Sequence, residues 1–127
     1  MPKPEAVRRV KSYSSASGFV YQYQFHEVNH ALRDAQPGNE YIYYVSADRK
    51  TMFPLKIFVS RAAVEDGGKR IGRTLTGTEE YAVAKMRIFQ AFDEVEDLAA
   101  KLPGGAAPEL TVDGADVERL LSQLDEV

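Results

Sequence analysis

The 127-residue chain has no cysteine, no tryptophan, only two histidines, and no apolar run approaching the roughly 18 residues of a membrane span. Without thiols there are no disulfides, no thiolate metal ligands and no cysteine nucleophile. With His26 and His30 as the only imidazoles and no G-x-S-x-G elbow, a Ser-His-Asp triad has little support. Residues 1–12 (MPKPEAVRRVKS) lack the apolar segment of a signal peptide, so a cytoplasmic protein without membrane association is expected. The length suits one compact domain and falls short of a doubly wound nucleotide-binding enzyme or a barrel enzyme.

Charge is present in both signs but unevenly placed. Residues 1–73 carry twelve Lys/Arg against seven Asp/Glu, and residues 74–127 carry four against twelve. Such polarity fits two parts of one domain that attract as they pack, or a basic surface for an anionic partner.

Aromatic alternation is the strongest pattern. In residues 18–27 (GFVYQYQFHE), Phe19, Tyr21, Tyr23 and Phe25 fall on one face of a strand, with Gln22, Gln24 and His26 on the other. A second strand candidate at 7–13 is joined to it by the turn-like SSASG at 14–18, which makes a hairpin. Residues 40–47 (EYIYYVSA) and 53–60 (FPLKIFVS) form another. The period then changes. Thr76-Gly77-Thr78-Glu79 matches a capping box, and Tyr81, Ala84, Ile88, Phe92, Val95 and Ala99 recur at helical spacing over 79–100. A Pro/Gly-rich linker follows (LPGGAAP, 102–108), then a short helix with Val117, Leu120, Leu121 and Leu124 as its apolar stripe.

Two motifs invite chemistry. His26-Glu27-Val28-Asn29-His30 matches H-E-x-x-H, in which two histidines on one helix face bind zinc and the glutamate activates water. A catalytic zinc needs a third protein ligand, the chain has no third histidine, and the alternation places His26 at a strand end. A zinc-dependent hydrolase using His26, Glu27 and His30 is therefore the remote alternative. Gly67 to Thr74 (GGKRIGRT) is one residue from the phosphate-binding G-x-x-x-x-G-K-[ST], with Arg73 in place of lysine. Residues 61–66 look like a helical turn rather than the required strand, so a basic surface loop is expected, with Lys69, Arg70 and Arg73 open to an anion. The carboxylate pairs Glu79/Glu80, Asp93/Glu94 and Glu96/Asp97 read as the solvated face of the long helix.

The expected fold is α+β: a four-stranded, largely antiparallel sheet of two hairpins, one long helix across one face, and a short C-terminal helix. Residues 1–102 form the domain, and 103–127 a flexible linker and amphipathic helix. Tyr41, Tyr43, Val45, Leu55, Ile57 and Val59 join Phe19, Tyr21, Tyr23 and Phe25 in facing the helix. The outer face carries Gln22, Gln24, His26, Ile42, Tyr44, Ser46, Lys56, Phe58, Arg8 and Val10. The element order over 7–100 resembles that of PUR- and Whirly-type single-strand-binding domains. Independently of that analogy, the side chains of this face make single-stranded nucleic acid the alternative partner, with bases stacked on Tyr44 and Phe58 and with Lys56, Arg8, Lys69 and Arg70 on phosphate. The expected function is a non-enzymatic interaction module without cofactor, using this face or an adjacent edge for self-association or a protein partner. Ile42, Tyr44 and Phe58 form too large an apolar patch to stay uncovered.

Overall fold

A computed structural model of the chain describes residues 10–16, 18–94 and 109–125. The fold is α+β. Five strands form a curled mixed sheet in simple sequence order: β1 (Lys11–Ser14), β2 (Val20–Arg33), β3 (Gln36–Ser46), β4 (Phe53–Ser60) and β5 (Glu109–Val112). The first four pair antiparallel, and β5 pairs parallel with β4. Among the described residues three helices accompany the sheet: α1 (Arg61–Ile71), α2 (Gly77–Glu94) and α3 (Gly114–Asp125). No described helix is long and apolar enough to cross a membrane.

Alternation explains the sheet. Tyr21, Tyr23, Tyr41, Tyr43, Val45, Leu55, Ile57 and Val59 are buried on the inner face, with Phe19, Phe25 and Phe53 partly buried beside them. α2 covers this face with Val83, Ala84, Ile88, Ala91 and Phe92, and Phe92 stacks on Tyr21 at 4.2 Å between ring centroids. The capping box closes its start: the Thr76 N–H donates to Glu79 Oε1 (2.9 Å), and the Glu79 N–H to Thr76 Oγ1 (3.1 Å). Val95 and Ala99, the end of the expected stripe, lie outside the described residues, as does the linker.

Four expectations change. The sheet has a fifth strand, because β4 leads through α1 and α2 to a parallel return, the connection that parallel neighbours require. The C-terminal segment is not a loosely docked helix: β5 and α3 place Val112, Val117, Leu120 and Leu121 in the common core. The first hairpin strand covers only Lys11–Ser14, with residues 7–9 outside the described part. The segment 61–71 is a three-turn helix capped by the Ser60 side chain and ended by Gly72 in the left-handed region. Gly67 and Gly68 therefore sit buried inside a helix, where Gly67 admits the side chain of Val117 from α3.

Two of the carboxylates expected as solvated, Asp93 and Glu80, are ties to the sheet. Asp93 accepts from the Tyr13 hydroxyl (2.8 Å) and the Ala16 N–H (2.8 Å), and Glu80 from Asn39 Nδ2 and the Tyr41 hydroxyl, both at 2.7 Å. Glu96 and Asp97 lie outside the described residues.

Candidate functional site

β2 positions Gln22, Gln24, His26, Glu27 and His30 of the residues singled out from sequence. It is a fourteen-residue strand with a bulge between Phe25 and Glu27. The bulge shifts the inward positions from Tyr21, Tyr23 and Phe25 to Val28, His30 and Leu32. The gap of three between Phe25 and Val28, which imitates helical spacing, is thus the imprint of the bulge. A tight turn follows with Asp34 (φ 54°) and Ala35 (φ 66°) both left-handed, the geometry of a two-residue hairpin connection.

The H-E-x-x-H histidines part company across this bulge. His26 faces outward, its ring 5.0 Å from that of Tyr44 in an edge contact. His30 pairs with Asn39 on the inner side and lines a cleft of about 220 Å³ with Gly38, Asn39, Val59, Arg61, Val64 and Glu80. Two histidines on opposite faces of a strand cannot ligate one ion together. Among the described residues no three His, Asp or Glu side chains gather as a metal site would need. Glu27 is exposed and accepts from Asn29 Nδ2 at 3.1 Å.

The outer face is largely closed by its own chain. Arg33, on the hairpin tip, lies over the Phe58 ring with its guanidinium carbon 5.1 Å from the centroid. It also pairs with Glu40 and, at 2.7 Å, with Glu109 of β5. These bonds hold its charge more strongly than usual, raising its pKa. Gly38 permits the tip to fold this close, since a Cβ there would fall 2.7 Å from the Phe58 ring. Phe58 is consequently only 5% exposed, and the apolar patch reduces to the half-buried Ile42 and Tyr44 beside Gln22 and Gln24. Neither Arg33 nor Glu109 stands out in the sequence, because the contact spans 76 positions.

Three of the cations expected to meet an anion are engaged elsewhere. Lys56 lies 3.8 Å from Glu40, Arg70 bridges Asp66 (3.0 Å) and Glu118 (3.4 Å), and Arg73 donates to Glu79 Oε1 at 2.7 Å. That last contact, with the capping-box N–H, holds the Glu79 carboxyl down at about 2. Lys69 and Arg73 line a cavity of about 410 Å³ with Val64, Gly68, Gly72, Thr74 and Leu75, so the glycine-rich segment is a helix end beside a mainly apolar hollow. Arg8 lies outside the described residues.

The least satisfied feature is an edge. β1 pairs with β2 only at Val20–Tyr23, and among the described residues nothing pairs with that side of β2 over 24–33. Val28 and Leu32 stand on this stretch at 45% and 65% exposure. A long strand edge with apolar side chains is a template for another strand. Comparison with family models, curated proteins and solved structures finds no match.

Proposed function

We propose that the chain is a non-enzymatic interaction module that pairs with another polypeptide along the open edge of β2. The observation that carries this reading is the stretch 24–33, unpaired on that side among the described residues, where backbone donors and acceptors stand beside the exposed Val28 and Leu32. Strand addition of this kind takes its affinity from main-chain hydrogen bonds and its selectivity from alternate side chains. The edge is a better candidate than the outer face. Arg33 already fills the space above Phe58, and base stacking there would require breaking the Glu40 and Glu109 ion pairs. The paired state of Lys56, Arg70 and Arg73 likewise removes most of the charge that phosphate binding would use.

The test is backbone amide hydrogen exchange over 24–33, with and without an excess of a synthetic peptide of sequence Glu27–Arg33. Strand addition slows the edge-facing amides, alternate ones along the strand, and leaves β4 unchanged. The double variant Val28→Lys/Leu32→Lys loses the effect, because lysines on an edge oppose pairing. Edge amides that exchange equally fast with and without peptide contradict the proposal.

A further inference from the structure

We infer that the polypeptide taken by the β2 edge is a second copy of this chain, joined antiparallel about a two-fold axis at His30. The inference rests on the edge reading and adds the partner and the register. Regular geometry on β2 is bounded on one side by the bulge at Phe25/Glu27 and on the other by the turn at Asp34-Ala35. The stretch between them is 27–33, and His30 is its midpoint. An isologous contact presents the same patch on both copies, so an antiparallel pairing that uses the whole stretch must be centred on its middle residue.

That register makes four pairings, and the chemistry of each agrees. Val28 faces the partner's Leu32 on the inner side, which covers the two exposed apolar side chains twice over. Glu27 faces the partner's Arg33 on the outer side, opposite in charge and adjacent to the Glu40 and Glu109 carboxylates already around that guanidinium. Asn29 faces the partner's Ala31, and His30 meets the partner's His30 on the axis, where both rings border their clefts. Moving the axis by one residue would set Val28 against the partner's His30 or Asp34, and Leu32 against the partner's His26 or His30, so that neither apolar pair would form. Among the described residues, β1 begins at Lys11 opposite Tyr23, short of where the incoming turn arrives. The resulting sheet would run without interruption from one β5 to the other.

The absence of native cysteine makes the register directly readable. Val28→Cys and Leu32→Cys proteins are prepared separately, mixed, and oxidised mildly. Directly opposed side chains reach disulfide distance, whereas Val28 and the partner's Val28 are about 13 Å apart along the strands. The mixed disulfide should exceed either homodimer by about tenfold. Dominant Val28–Val28 or Leu32–Leu32 cross-linking overturns the register. A chain that sediments as a monomer and forms no cross-link overturns the second copy, while peptide-dependent protection of 24–33 in that same monomer would leave the edge reading standing. Protection of 24–33 in the monomer without peptide would mean that the chain's own remaining residues cover the edge, and would overturn both.

Discussion

Phe92 closes the core at the level of a single side chain. It is fully buried, stacked on Tyr21 and tilted against Tyr13 at 5.8 Å. Phe92→Ala should cost about 3–5 kcal/mol, through lost burial and a residual cavity. Urea unfolding reads this directly, and a loss below about 1 kcal/mol would contradict the packing described. Ala35 makes the opposite case. Its φ of 66° puts a Cβ in the left-handed region, where a non-glycine residue carries a cost of about 1–2 kcal/mol. Ala35→Gly relieves that strain at some cost in unfolded-chain entropy, so the variant should unfold at higher urea, by about 0.5–1 kcal/mol. An unchanged or lower midpoint would show that the turn is not held in this conformation.

Among the elements, the contact between α1 and α3 depends on Gly67. A methyl group there gains about 0.8–1 kcal/mol in helix propensity but collides with Val117, whose branched side chain has little freedom to move away. Overpacking costs about 1–3 kcal/mol, so Gly67→Ala should destabilise on balance. Removing residues after Pro103 should do far more. Val112, Val117, Leu120 and Leu121 are each at most 5% exposed, and burial of each contributes roughly 1.5–3 kcal/mol. Their sum is comparable with the whole stability of a small domain, so the truncated chain should not fold; a cooperative near-native transition would show β5 and α3 to be dispensable. The reach of sequence reasoning follows the range of the interactions. The inward aromatics of β2, the β3–β4 hairpin and the Thr76 capping box are local patterns and were legible. The fifth strand was not, because Glu109–Val112 is too short to show alternation and is defined by its partner β4. The extension of β2 past Glu27 was masked by a bulge that breaks the period of two. Arg33 above Phe58, and hence the sealing of the outer face, depends on a tertiary fold of the hairpin tip that no spacing announces.

For the molecule as a whole, phenols shape the pH stability at one end and carboxylates, Glu79 with Asp48 and Asp116, at the other. Burial, aided by Asp93, pushes the Tyr13 hydroxyl up to about 12, and burial likewise raises Tyr23, Tyr41 and Tyr43. A phenol held neutral in the fold contributes stability that is complete below its unfolded value of 10.0 and is lost as pH rises above it. Glu79 works in the other direction: its contribution is present above the unfolded 4.5 and lost as pH falls towards 2. Stability should therefore decline from pH 10 upward, with tyrosinate absorbance appearing largely in step with loss of circular dichroism. Tyrosinate formation by Tyr13, Tyr23, Tyr41 and Tyr43 well before unfolding would contradict the burial described.

At the same scale stands the edge of β2 that no described residue pairs, and sedimentation of the native chain beside Val28→Lys/Leu32→Lys addresses it most directly. Both positions are exposed, so at concentrations where the native chain is monomeric the variant should keep the native urea midpoint. The native chain should associate with rising concentration and the variant should remain a monomer. Equal association of the two, or a native chain that stays monomeric at every concentration, would contradict self-pairing through this edge.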